Sequence, residues 1–295
     1  MEVVLRTKNG PRLVALLFLV FFFFSFLGQL YWWRVRFRQE VYVLFRSLAR
    51  LEMELVTLGW ERLEGEHFVI KFRPEDREVA PLILQNAEKV YRPVTEALDY
   101  RPAGKIMVVV YPDRFSLNKS FGWDGDQSAM GVYWAGVIRL LSPLDWAPRP
   151  AEQMTSALER QGPVVHELTH LLLDYITKGN YPRWLTEGIA QYYEQRITGY
   201  TLPGAKTTGR LYRLGEMEAG FDSLPDQFLA YRQSLLFVCY LEEKYGSGTA
   251  VRILPYLRKG FTVDQALQEV TGKPINQLEE EWLNWLRQNP RLLRE

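Results

Sequence analysis

The sequence predicts an α+β fold, a small sheet packed on a larger helical half, preceded by an N-terminal transmembrane helix. Three observations predict it. Strand-like segments fall before residue 142, nearly everything after Ala151 carries helical spacing, and a long apolar run opens the chain.

The apolar run extends from Leu13 to Trp33, broken only by Ser25, Gly28 and Gln29. Its length matches the roughly 20 residues a helix needs to cross a bilayer. Arg6, Lys8 and Arg12 precede it, and Tyr31, Trp32 and Trp33 suit the lipid–water interface. No Ala-x-Ala-like cleavage site follows, so a retained anchor is favoured over a cleaved signal peptide. The short basic tail reads as a signal anchor, with the N-terminus inside and the main domain outside. Arg34, Arg36 and Arg38 on the far side weaken that orientation signal. The expected organisation is a tail and anchor over 1–33, a juxtamembrane helix over 34–62 and a folded domain over 63–295.

In the juxtamembrane segment, Val41, Leu44, Phe45, Leu48, Leu51, Leu55 and Leu58 recur at a helical period. A helix packed on the main domain by this stripe is the favoured reading, and a short coiled-coil stalk is the alternative. Gly59 ends the helix. His67–Phe72 alternates as a strand, and Pro74–Leu98 has helical spacing. Lys105–Tyr111 reads as a buried strand, and Pro112–Asp113 can start a short helix. Gly122–Asp126 is an expected loop. Met130–Trp134 and Val137–Leu141 read as two strands joined by a tight hairpin at Ala135–Gly136. Helices follow from Ala151, interrupted by a loop over Tyr200–Thr208.

Composition excludes some function classes. Hydrophobic residues are 47% and charged residues 24%, ordinary for a globular chain. Net charge is +1, so nothing points to nucleic acid. The single cysteine, Cys239, lies in an apolar helical stretch and reads as a buried thiol.

Two of the three histidines stand four residues apart, in His166-Glu167-Leu168-Thr169-His170. On a helix this spacing puts both imidazoles on one face, within reach of one metal ion. Glu167 can then touch a metal-bound water whose pKa zinc lowers to about 7, and act as general base. The setting is helical: Gly162–Pro163 marks a start, and Val164, Val165, Leu168 and Leu171–Leu173 are apolar. The five-residue pattern arises by chance in roughly one chain of this length in a hundred, so it needs support. Catalytic zinc takes three protein ligands and keeps one position open. No histidine follows His170, so the third ligand should be a carboxylate. Glu187, within Trp184-Leu-Thr-Glu-Gly-Ile-Ala190, fits if one helix ends near Gly179–Asn180 and another starts at Tyr181–Arg183.

These two motifs resemble those of the gluzincin metallopeptidases, the clan that contains thermolysin and the zinc aminopeptidases. More closely, the chain is similar to bacterial peptidase MA-like domain proteins, which are often membrane-anchored. The likeness extends from about His67 to Gly246. It includes Met130–Pro143 and the Tyr-Arg-Gln-Ser that begins at Tyr231.

The resemblance implies a thermolysin-like fold with His166, His170 and Glu187 as zinc ligands and Glu167 as general base. It implies an edge strand that pairs with substrate backbone, either Met130–Trp134 or Val137–Leu141. It also implies a Tyr or His that stabilises the oxyanion. His67 lies in an expected strand, so Tyr231 is the choice, with Tyr192 and Tyr193 as alternatives. Where thermolysin-like relatives carry an Asp four residues after the ligand glutamate, this chain has Gln191. Asp174 then either bonds a ligand histidine or is a helix-surface charge.

The expected function is a single-pass membrane-anchored zinc peptidase acting outside the cytoplasm on peptide or protein substrates. The lipid bilayer would be met through residues 13–33. The absence of a Gly-x-Met-Glu-Asn signature favours an endopeptidase. A catalytically inactive binding module with the same fold is the alternative, and a zinc hydrolase of non-peptide amides is a further rival.

Overall fold

Five strands form one mixed sheet in the order β1-β2-β3-β5-β4: β1 (Glu61–Glu64), β2 (Phe68–Phe72), β3 (Ile106–Tyr111), β4 (Gly131–Trp134) and β5 (Val137–Leu141). The computed structural model describes residues 33, 35–123, 129–202 and 210–293. The apolar run over 13–33 lies outside them except for Trp33, as do parts of the two expected loops. Among the described residues, no helix is long and apolar enough to cross a membrane.

β2, β3 and β5 are buried along their whole length. β3 is apolar on both faces, while β2 and β5 each carry one buried cation, Lys71 and Arg139, so all three strands are covered on two sides. One face of β3 (Ile106, Val108, Val110) joins the main core under α2 (Ala80–Ala97) and the later helices. The other (Met107, Val109, Tyr111) packs with Met53 and with Leu117 of α3 (Arg114–Lys119). The sheet is therefore a middle layer. β2, β3 and β5 run parallel, while β1 and β4 are antiparallel edges. Ala135 and Gly136 both have positive φ (44° and 88°), as a two-residue hairpin turn between β4 and β5 requires.

After β5 the chain is helical: α4 (Pro143–Trp146), α5 (Ala151–Gln161), α6 (Val164–Thr177), α7 (Arg183–Thr198), α8 (Leu214–Gly220) and α9 (Gln227–Tyr245). α10 (Thr249–Arg258), α11 (Val263–Thr271) and α12 (Ile275–Gln288) complete it. α6 ends where Lys178 and Gly179 take left-handed φ (56° and 75°), and Pro182 caps the next helix, so α6 and α7 form a hairpin. α7 lies directly on α9. A Cβ on Gly188 would stand 2.3 Å from the Ser234 carbonyl oxygen, so only glycine permits this approach.

The helix expected over 34–62, α1 (residues 35–56), corrects the expectation for its apolar stripe. It does dock on the domain, but through its mixed polar face. Gln39 donates to the Arg258 carbonyl at 2.7 Å, Arg50 to the Lys105 carbonyl at 2.8 Å, and Tyr42 and Arg46 meet Asp174. Glu54 pairs with Lys71, which also donates to Thr57 at 2.9 Å. The stripe itself faces away, with Val41, Leu44, Leu48, Leu51 and Leu55 each about half exposed.

Candidate metal centre

The i, i+4 spacing on α6 does what helix geometry dictates: the Nε2 atoms of His166 and His170 face each other 3.0 Å apart. The hairpin brings α7 alongside, and Glu187 Oε2 lies 3.3 Å from His166 Nε2 and 3.5 Å from His170 Nε2. One donor atom from each of the three falls within 4.8 Å of the others.

This donor set fits a divalent zinc ion. Two imidazoles and a carboxylate are a common zinc set with an open position. Glu187 Oε2 is buried and makes no regular hydrogen bond; its nearest neighbours are the two Nε2 atoms, so three lone-pair donors converge where a cation would complete them. Each imidazole is also held from behind. His166 Nδ1 lies 3.1 Å from Glu194 Oε2, and His170 Nδ1 lies 2.7 Å from the Thr186 hydroxyl. With Nδ1 engaged, Nε2 is turned to the centre of the cluster.

The buried ionisable groups of the cluster shift one another strongly. Burial alone would depress the His166 pKa, but Glu194 and Glu187 overcome it and hold the ring well above its usual range. Burial would raise the Glu187 carboxyl, yet His170 and Arg183 hold it well below the usual carboxylate range.

Glu167 is buried at the same face of α6. Burial raises its pKa against the opposing pull of His166 and His170. Its Oε2 accepts from the Tyr133 backbone N–H at 2.5 Å. Because that amide points away from β5, strand alternation puts the backbone groups of Gly131 and Tyr133 on the free edge of the sheet. β4 is therefore the edge strand beside the site. β5 is paired on both sides, which removes it as a candidate. A Cβ on Gly131 would stand 2.8 Å from Pro163 and 3.0 Å from Glu167, so the missing side chain lets β4 lie against the start of α6.

Tyr231, near the start of α9, stands beside the cluster. Its phenol lies 3.5 Å from Arg183 Nη2, and the Glu187 carboxylate, together with burial, raises its pKa. Arg183 pairs with Glu187 Oε1 at 3.2 Å and with Asp222 at 3.4 Å. The other tyrosines are engaged elsewhere: Tyr193 donates to the Ala97 carbonyl and Tyr192 accepts from Arg196. His67 bonds Glu88 and stacks on Tyr91, away from the cluster.

One further expectation, that for Asp174, is corrected. Gln191 supports no ligand; it donates to the Glu187 and Tyr231 carbonyls at 3.1 and 3.0 Å and ties α7 to α9. Asp174 neither bonds a ligand histidine nor lies on the surface. It is fully buried and accepts from Tyr42 (2.6 Å), Arg46 (3.0 Å), Tyr133 (2.5 Å) and Tyr181 (3.4 Å). Sequence reasoning missed Glu194, Thr186 and Arg183. Glu194 follows Glu187 by seven residues, two helical turns on the same face, and that spacing was the available signal. Cys239 is half-buried, with burial pushing its thiol up to about 11.

No curated protein matches the chain. Among solved structures, aminopeptidase A of Legionella pneumophila in complex with aspartic acid is similar at 13% identity and a TM-score of 0.44. The likeness covers 76% of this chain and 27% of that one, so the chain spans about a quarter of that protein's length. The family model that matches is that of the peptidase MA superfamily, over residues 155–288, a span that holds both motifs of the metal cluster. Over this helical part, a little under half of its length, the chain is similar to the peptidase MA superfamily.

Proposed function

We propose that this chain is a membrane-anchored, zinc-dependent peptidase, with His166, His170 and Glu187 as metal ligands and Glu167 as general base. The observation that carries the reading is the convergence of these three side chains on one point, beside a buried Glu167 bonded to an edge strand. A zinc ion held there would polarise the scissile carbonyl and lower the pKa of a water to about 7. Glu167 takes the proton from the attacking water and returns it to the leaving amine; its burial-raised pKa suits both tasks. Tyr231, kept neutral beside Glu187, donates its O–H to the oxyanion, and Arg183 holds that phenol in place. The free edge of β4 aligns an extended peptide by backbone hydrogen bonds.

The endopeptidase reading rests on the absence of a Gly-x-Met-Glu-Asn segment. The anchor reading rests on the apolar run over 13–33 and its basic tail, and puts the domain outside the cytoplasm. Elemental analysis and a peptide-library digest of the full chain test the chemistry. Stoichiometric zinc with cleavage supports it, and absence of zinc overturns it. Zinc without cleavage of any peptide would favour the inactive binding module. A C-terminal reporter active only in the cytoplasm would overturn the topology if it gave signal.

A further inference from the structure

We infer that the outward face of α1 is a dimer seam, covered by the same face of a second copy of this chain in a short parallel coiled coil. Phe37, Val41, Leu44, Leu48, Leu51 and Leu55 alternate steps of four and three, the a/d spacing of a heptad, and each is between 48% and 59% exposed. An ordinary surface helix buries such a stripe against its own domain. Here the opposite face docks, by the directed contacts of Gln39, Tyr42, Arg46 and Arg50.

That arrangement suits a second copy. The seam lies opposite the docked face, so a two-fold axis along it places the two domains on the two outer sides. With Val41, Leu48 and Leu55 at a and Phe37, Leu44 and Leu51 at d, the seam is apolar without a break. In a parallel, in-register pair the flanking neighbours across the seam are Trp33–Arg38, Glu40–Phe45 and Ser47–Glu52, none of them of like charge. With the flanking Trp33, Phe45 and Leu58, the face presents on the order of 800 Å² of apolar surface, about what each partner buries in a stable complex. An isolated helix this short is marginal, but α1 is already held by its domain, so little ordering remains to oppose pairing. A lipid surface fits less well. Beside the seam stand Glu52, a single Arg38, and Glu40 and Glu54, each paired with a domain lysine (Lys178 and Lys71), so the flanks lack the excess lysine and arginine of helices that lie on anionic bilayers.

The test is disulfide trapping in the detergent-solubilised full chain, in a Cys239→Ser background. Leu44→Cys and Leu51→Cys are each expected to oxidise to a covalent dimer, while the exposed α2 control Arg92→Cys stays single under the same treatment. Leu48→Glu is expected to halve the protein mass measured by light scattering while the far-ultraviolet circular dichroism of the folded chain is kept. Cross-linking of the seam cysteines no faster than Arg92→Cys would overturn the proposal. So would a single-copy mass for the unmodified chain, together with seam cysteines in the two variants that are shielded from a water-soluble maleimide only when phosphatidylserine vesicles are added.

Discussion

The backbone N–H of Tyr133 donates to the Glu167 carboxylate at 2.5 Å, which ties the edge strand to the proposed general base. The approach depends on Gly131, whose absent side chain leaves room for Pro163 and Glu167. Gly131→Leu is therefore expected to push β4 from α6 and lower kcat/KM by about 10²-fold, the scale of a misplaced reacting group. Zinc content should stay unchanged. Steady-state kinetics and elemental analysis of the same preparation check this.

Glu194 acts on the metal through His166 Nδ1. Glu194→Gln should weaken zinc affinity by about 10–100-fold, the usual effect of losing an outer partner of a ligand histidine. Competition against a chelator of known affinity measures it.

Tyr231→Phe removes one proposed oxyanion donor and leaves the ring in place. It should reduce kcat by about 10²–10³-fold with KM little changed, because the bond is made only in the transition state. An equal loss in KM with unchanged kcat would assign Tyr231 to substrate binding instead.

Asp174 is buried beneath α1 and is shared by Tyr42, Arg46, Tyr133 and Tyr181. Asp174→Ala strands the Arg46 guanidinium and three phenols, at a cost of about 3–5 kcal/mol for a broken buried pair. Thermal unfolding should show the loss. Limited proteolysis should show new cleavage within residues 35–58.

Much of the metal cluster was legible because it is local. The His166–His170 spacing and the turn between α6 and α7 need only helix geometry, and both were read from the sequence. The hairpin at Ala135–Gly136 was legible for the same reason. Asp174 was not, because Tyr42 and Arg46 reach it across more than a hundred residues of chain. β1 was missed because Glu61-Arg-Leu-Glu64 has one apolar residue and no period to detect. The stripe on α1 was found, but periodicity reports that an apolar face exists and not what covers it. Arg183 gave no signal, since its meaning lies in the Glu187 and Tyr231 side chains that the fold brings to it.

The central claim is that Glu167 does chemistry while His166, His170 and Glu187 hold the metal. Glu167→Gln separates the two, because the amide is of nearly the same size but cannot take a proton. Zinc content and peptide hydrolysis measured side by side should show full zinc occupancy and turnover reduced by at least about 10³-fold. Hydrolysis at the unmodified rate with zinc retained would contradict the account.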